Sequence, residues 1–521
     1  MAIQFLPQYS TPLFDAVVSY AKEKKISFHT PGHKHGDGIQ KKFREFVGPK
    51  IFDIDLTLLE EVDSLHDPKG VIKEAQILAA QAFGADYTFF LVNGTSVGNQ
   101  AMILATCNPG DKIIIPRNVH KSVYAGIILS GAEPIYVQPE VSNEINIVCN
   151  VEPKTIEEKL NEHPDVKVVL VTNPTYNGIC ADLKEIEKIV HQRKKILLVD
   201  EAHGPHFKFN EKLPLCAMDA GADIVVQSTH KILACVTQAS MLHAKKGLID
   251  ILRLKRILQL LQTTSPSYIL MSSLDVARMQ MATEGKELLD RTLELSEFAR
   301  LKINQIERLK CFGKEFTGRK GIHNLDITKL TVNVDDLGIT GYHVSKILNQ
   351  NYKIQIEFAE IRNLLSIISI GNNKKDIEDL LLALKEIVKY TKEELKWTSL
   401  ESFYPIVFPD FSSEVVLSPR EAVFAKTSKI PFKDSVGRIS AEIVAPYPPG
   451  IPVLVPGERI SQDAYHYLIK LKNLGARISG QDDSHLNTIK VVCEGKIVYN
   501  NILLELDKKE KSGDQLKVVA N

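Results

Sequence analysis

The sequence predicts an α/β protein: a large unit on a mostly parallel sheet, a smaller α/β unit, and a C-terminal α+β domain. From about residue 70 to 245, short β-branched runs alternate with amphipathic helical stretches. Continuous apolar strands separated by such helices read as a parallel sheet covered on both faces. Residues 300–395 repeat the alternation on a smaller scale, and beyond residue 405 the chain turns richer in proline and short strands.

In chain order, residues 1–62 form an N-terminal arm that carries "FHTPGHKHG", and residues 63–299 form the large unit. The strands of that unit are "YTFFLV" (87–92), "KIIIP" (112–116), "EPIYV" (133–137), "VKVVLV" (166–171), "KILLVD" (195–200) and "DIVVQS" (223–228). Stretches such as "VIKEAQILAAQAF" and "LKEIEKIVHQ" space their apolar residues three and four apart, as helices packed on a sheet do. Ligands of open parallel sheets bind outside the carboxyl ends of the strands, where Asp200 and Ser228 fall. Residues 246–300 are helical around the polar turn "QTTSPSY" (262–268), and "KKDIEDLLLALKEIVKY" closes the smaller unit (300–395). The C-terminal domain spans 405–515 and contains "APYPPGIPVLVPGERI".

Composition excludes several classes. Lys+Arg and Asp+Glu are 64 each in 521 residues, so no net field recruits nucleic acid or anionic lipid. The N-terminus lacks a signal peptide's basic start and unbroken apolar core, and no apolar run approaches the ~18 residues of a membrane span. Seven scattered cysteines form no C-x-x-C pair, which points to a reducing, cytoplasmic compartment.

The densest chemistry lies in "VDEAHGPHF" (199–207), directly after an apolar strand. A helicase reading of Asp-Glu-Ala-His needs the loop G-x-x-x-x-G-K-[ST], which "EGKE", "FGKE" and "EGKI" do not supply. A zinc reading can draw on His203, His206, His29, His33 and His35, but the Gly-Pro in "HGPH" rules out the regular helical pair of zinc hydrolases; no metal is assigned. A third reading uses more of the chain. One helix and one strand after Asp200 comes "QSTHKILA", with Ser228, His230 and Lys231. Taken alone, a lysine there reads as a surface residue whose head snorkels to water; but burial disfavours its charge, and a Schiff base with an aldehyde requires such a desolvated lysine. An upstream aspartate would face the ring nitrogen of pyridoxal phosphate. "VNGTSVGNQ" (92–100) follows a strand and opens a helix, so Gly94, Thr95 and Ser96 offer N–H groups to a phosphate.

With "NGTS", "DEAHG" and "STHK" in this order, the sequence resembles the aspartate-aminotransferase-like pyridoxal-phosphate enzymes of fold type I. More narrowly, it resembles the bacterial ornithine/lysine/arginine decarboxylase family. "FHTPGHKHG", "DSLHDPKGVIKEAQ" (63–76), "IPRNVHKSV" (115–123), "NPTYNG" (173–178), "TTSPSYILMSSLDVAR" (263–278) and "YPPGIPVLVPGE" (447–458) carry this resemblance over nearly the whole chain. The chain starts almost at the "HTPGHK" element, without the response-regulator-like domain of the large acid-inducible members. In this it is similar to the compact Bacillus-type branch, whose members decarboxylate arginine to agmatine and so open polyamine synthesis.

The resemblance implies pyridoxal 5'-phosphate as cofactor, Lys231 as its attachment point, Asp200 as partner of its ring nitrogen and His120 stacked on its face. It implies phosphate contacts from Thr95, Ser96 and Ser228, with Thr264 and Ser265 reaching in from a neighbouring subunit of a homodimer. His203 would lie beside the cofactor. His230 and Lys231 both remain open as the proton donor to Cα. The substrate is a basic amino acid, with arginine ahead of lysine and ornithine. Its distal cation would meet Glu458 or Glu357, and either could instead be a structural acid. An aminotransferase would need an arginine clamp, for which Arg362 is the one arginine in 320–395. A transcription regulator on this fold would need a DNA-binding domain that the residues before "HTPGHK" cannot hold.

Overall fold

The computed structural model describes residues 6–394, 414–446 and 451–493, and the backbone of 497–499 and 502–504. The stretch "TSLESFYP" and the first four residues of "YPPGIPVLVPGE" lie outside the described residues.

The large unit is a seven-stranded sheet. In chain order its strands are β1 (Tyr87–Leu91), β2 (Lys112–Pro116), β3 (Glu133–Val137), β4 (Val168–Thr172), β5 (Ile196–Asp200), β6 (Ile224–Gln227) and β7 (Ser240–Ala244). Their order across the sheet is β1-β7-β6-β5-β4-β2-β3. The run from β6 to β3 is parallel, and β7 is antiparallel to both β6 and β1. The antiparallel strand, "SMLHA", is absent from the strands read from the sequence. Its connection from β6 contains only a single-turn helix, Thr229–Ile232, and a loop. That is too little for the crossover that would bring it back parallel.

Alternate residues of the strands enter two cores. Phe90, Ile114, Val169, Val171, Leu197, Val199, Val225 and Met241 pack on one face with helix α1 (Val71–Phe83). Leu91, Ile113, Ile115, Leu170, Leu198, Val226 and Leu242 pack on the other with α2 (Gly94–Thr106), α3 (Lys121–Ser130) and α4 (Ile251–Leu261). This alternation sends Asp200 and Glu201 to opposite faces, since consecutive strand residues point apart. The arm is half docked: Leu13, Val17 and Tyr20 of the helix Pro12–Glu23 join the first core, whereas Ile26, Phe28 and Phe46 are 86%, 94% and 91% exposed.

Helix α5 (Tyr268–Ile303) leaves the large unit and ends in the smaller one, where Ala299 and Ile303 pack with the helices Gly341–Tyr352 and Lys374–Glu394. The antiparallel sheet there runs 310–311, 329–333, 363–367, 358–359. In the C-terminal region, strands Thr427–Pro431 and Thr488–Val492 pair beside the helix Gln462–Asn473 around their own core. Val455 from this region inserts into the second core of the large sheet.

Helix α2 lies flat on the sheet because Gly98 carries no side chain. A Cβ there would sit 2.1 Å from Val226 Cγ1 and 2.8 Å from Leu91 Cδ1. Gly98→Ala is therefore predicted to destabilise the fold by roughly 1–3 kcal/mol through overpacking, read as a lower thermal unfolding midpoint of the cofactor-free chain. An unchanged midpoint would mean that the helix does not approach the sheet this closely.

Candidate active site

Four strand ends and two helix starts converge on one point. Asp200 ends β5 and is 3% exposed. Its Oδ2 accepts from Asn99 Nδ2 at 2.8 Å, and its Oδ1 accepts from the Ala202 N–H at 3.1 Å. Burial raises its pKa, against the lowering effect of Asn99 and of the Lys231 charge. Asn99 also donates to Ser122 Oγ at 2.9 Å, which ties α2 to α3 above the carboxylate.

Lys231 lies in the single-turn helix after β6. Its Nζ is 2.9 Å from His203 Nε2 and 5.7 Å from the centre of the Tyr176 ring. Burial lowers its pKa, outweighing the raising effects of Asp200 and Glu357. His203 is buried beside Tyr176, with ring centres 4.8 Å apart, and burial together with Lys231 holds its pKa well below the ordinary range. His120 caps α3 through Nδ1, 2.8 Å from Ser122 Oγ. Burial, then the charges of Lys231 and Lys121, push it down to about 4. Its ring is therefore neutral at ordinary pH. His230 Nδ1 donates to the Ala239 carbonyl at 2.9 Å.

The start of α2 forms a hydroxyl-lined hollow. Gly94 takes φ +75°, a backbone angle that glycine adopts without strain. Thr95 Oγ1 hydrogen-bonds Ser228 Oγ and lies 3.0 Å from Ser240 Oγ. Ser96 is exposed and, with His120, Lys121 and Ser122, lines a cavity of about 550 Å³ that Glu442 and Asp482 of the C-terminal region also line. Thr264 and Ser265 are exposed; their loop is tied to its own chain's hollow where Thr263 N–H donates to Asn93 Oδ1 at 3.3 Å.

Glu458 is a correction. It is 1% exposed and receives both guanidinium nitrogens of Arg117, each at 2.6 Å. A carboxylate held bidentately in a buried pair is committed to Arg117, so Glu458 takes the structural-acid alternative rather than meeting the distal cation of a substrate. Glu357 differs: it is exposed, acts on the charges of Lys231 and His230, and precedes Phe358, whose ring meets Tyr176 edge-on at 6.1 Å. Arg362 is buried against Asp335, with Nε 3.6 Å from Oδ1.

The cluster "VDEAHGPHF" also divides. Glu201 and His206 turn away from Lys231, Glu201 to the opposite face of the sheet and His206 to Asp326 Oδ2 at 3.2 Å. Lys329 Nζ reaches the same Asp326 oxygen at 3.0 Å and lies 3.5 Å from the His203 carbonyl. Burial raises the Asp326 pKa, but Lys329 and His206 outweigh it and hold the carboxyl below its usual range. Asn99, Ser122, Ser240, Tyr176 and the Asp326–Lys329 pair were not among the residues singled out from sequence. Of these, Asn99, Ser122 and Tyr176 stood in quoted motifs, "VNGTSVGNQ", "IPRNVHKSV" and "NPTYNG".

A phosphate suits the hollow, since α2 presents free N–H groups and a positive dipole end there beside three hydroxyls. A ring with a protonated nitrogen suits the buried Asp200 carboxylate, and a desolvated amine suits covalent attachment at Lys231. The residues present therefore fit pyridoxal phosphate.

The sequence profile described as Orn/Lys/Arg decarboxylase, major domain, matches residues 11–376, and that of the C-terminal domain of the same family matches 407–490. Arginine decarboxylase of Bacillus subtilis is 44% identical over 493 residues, covering 95% of this chain and 100% of its own. The crystal structure of the Francisella novicida lysine decarboxylase superposes with a TM-score of 0.80 at 26% identity, covering 93% of this chain and 81% of the other. An alanine–glyoxylate aminotransferase from Nostoc superposes with a TM-score of 0.50 at 16% identity, over 62% of this chain and 89% of its own, which makes the fold aminotransferase-like. Profile matches of that extent, on a fold shared with aminotransferases, make the chain a member of the Orn/Lys/Arg decarboxylase family and a pyridoxal-phosphate-dependent enzyme.

Proposed function

We propose that the chain decarboxylates arginine, giving agmatine and CO2 at the entry to polyamine synthesis. One observation carries this reading: the 44% identity to the Bacillus subtilis arginine decarboxylase extends over that protein's entire length. Lysine and ornithine are the alternative substrates. The pairing of Arg362 with Asp335 speaks against an arginine clamp of aminotransferase type.

Pyridoxal 5'-phosphate, when bound, supplies a sink for the electron pair left at Cα as CO2 departs. Lys231 would hold it covalently, and the neutral His120 ring would lie on its face. Gly94, Thr95, Ser96 and Ser228 would bind its phosphate. Asp200, fixed by Asn99 and the Ala202 N–H, would keep a proton on the ring nitrogen. His203 Nε2 would orient the Lys231 amine. His230, anchored through Nδ1, and Lys231 are the two groups able to return a proton to Cα. Glu357 would receive the distal guanidinium, whose planar fork can make two parallel bonds to a carboxylate. Thr264 and Ser265 would complete the phosphate site of a second copy in a homodimer, and the exposed Ile26, Phe28 and Phe46 give that dimer apolar surface. A reducing cytoplasm suits seven free thiols, and no helix among the described residues is long and apolar enough to cross a membrane.

Three measurements check this reading. CO2 release from arginine by cofactor-loaded protein should exceed that from lysine and ornithine; a preference for either would overturn the substrate assignment and leave the decarboxylase intact. Borohydride reduction of the loaded protein should abolish activity and place the pyridoxyl label on Lys231, and a label elsewhere would remove that lysine from its role. Asp200→Asn should retain cofactor yet slow turnover by about a hundredfold or more, whereas near-normal turnover would exclude Asp200 from the chemistry.

The distal contact gives a fourth prediction. Glu357→Gln should raise KM for arginine by roughly 10- to 100-fold, as loss of a charged hydrogen bond does, and weaken discrimination against lysine. Wild-type KM and selectivity would send the search to another acid.

A further inference from the structure

On the face of the sheet opposite Asp200, four buried polar side chains form one chain of hydrogen bonds that crosses four strands. Gln227 Nε2 donates to Glu201 Oε2 at 2.7 Å, and the other Glu201 oxygen accepts from the Ala217 N–H at 2.8 Å. Gln227 Oε1 is 3.1 Å from His243 Nε2, and His243 Nδ1 is 2.8 Å from Thr88 Oγ1. Exposures are 0% for Glu201, 1% for Gln227, 0% for His243 and 3% for Thr88. Phe83 of α1 stacks on the His243 imidazole at 4.5 Å, sealing the chain from water.

Glu201 and Gln227 adjoin strand ends that build the site, while His243 and Thr88 lie farther along strands that reach it. Glu201 follows Asp200; Gln227 precedes Ser228 and lies four residues before Lys231; His243 shares β7 with Ser240; Thr88 lies on β1, which leads into Gly94 and Thr95. Within the sheet Thr88 is paired with His243, and Val225, two residues before Gln227, is also paired with His243. A lateral brace of this kind restrains the sliding and splay of neighbouring strands, which backbone ladders alone leave soft near their ends.

The brace has a direction. Burial pushes Glu201 up to about 8; with the acid ionised, above that value, both its oxygens accept, and Gln227 turns its amide nitrogen toward the acid and its carbonyl toward the ring. His243 must then carry its proton on Nε2 and accept from the Thr88 hydroxyl at Nδ1. Burial pushes His243 down to about 3, so the ring is neutral and one tautomer closes the chain. Buried polar networks satisfied in this way rigidify what they connect.

We propose that Glu201, Gln227, His243 and Thr88 are positioning residues for the cofactor, a brace that sets the relative heights of Asp200, Ser228 with Lys231, Ser240 and Thr95. The proposal rests on the cofactor reading above, and its tests separate the two.

In cofactor-free protein labelled with 15N-histidine, at a pH above 8 that keeps Glu201 ionised, His243 should show the Nε2–H tautomer. Glu201→Gln replaces an acceptor with a donor, so the chain should reverse end to end and His243 should move to the Nδ1–H tautomer; an unmoved tautomer would overturn the proposal. Gln227→Leu should weaken pyridoxal phosphate, measured as Kd by fluorescence quenching, by about 5- to 10-fold, the worth of a broken buried hydrogen-bond link. Thr88→Val, nearly isosteric and remote from the cofactor, should weaken it in the same direction and serves if Gln227→Leu does not fold. Folded variants binding pyridoxal phosphate as tightly as wild type would defeat the brace. Failure of the wild-type protein to bind it would defeat the cofactor reading instead.

Discussion

A carboxylate held out of water at the end of the central strand is the constraint around which the rest is arranged. Burial alone drives Asp200 toward its neutral form, and a neutral acid could not attract a proton to a ring nitrogen. Isolated buried charge is costly unless paired or hydrogen-bonded. The structure answers with Asn99 and the Ala202 N–H on the acid itself and with Lys231 as an opposing charge. Asn99 is available only because α2 descends onto the sheet, and α2 descends only because Gly98 leaves room. One backbone approach thus places the amide over the acid and brings the start of the same helix beside Ser228 and Ser240.

Two buried ionic clusters then fasten the remaining parts of the chain to this centre. Arg117, three residues before His120, pairs with Glu458, and its second nitrogen also donates to the Val453 carbonyl at 3.2 Å. Asp326 and Lys329 of the smaller unit pair with each other and reach His206 and the His203 carbonyl. Such pairs contribute modestly to stability compared with apolar packing, because desolvation offsets their attraction. Their strict geometry fixes orientation instead. The second histidine of "HGPH" thereby serves attachment of the smaller unit, while the first serves the lysine.

How much of this was legible follows from how local each feature is. The parallel strands announced themselves as continuous apolar runs between amphipathic helices, because both of their faces are covered. Strand β7 did not, since "SMLHA" contains a histidine whose polarity is satisfied only by Gln227 and Thr88, distant in sequence. Asp200, Lys231 and His120 stood in motifs, and the fold brings them together. Asn99, Ser240 and Tyr176 take part through contacts that no spacing reveals. Glu458 and Glu357 looked equivalent as isolated acids; the difference is a partner arginine 341 residues away along the chain.

Helix α5 makes the connection between the two units mechanical rather than hinged. Its 36 residues run for roughly 54 Å at 1.5 Å per residue. Tyr268, Met271 and Leu274 near its start lie in the main core, and Ala299 and Ile303 at its end lie in the core of the smaller unit. A rod clamped at both ends transmits torque and resists bending. Glu357 belongs to the smaller unit, and its charge reaches Lys231 of the larger one. The position of Glu357, carried by the smaller unit, therefore depends on the stiffness of a helix rooted in the main core.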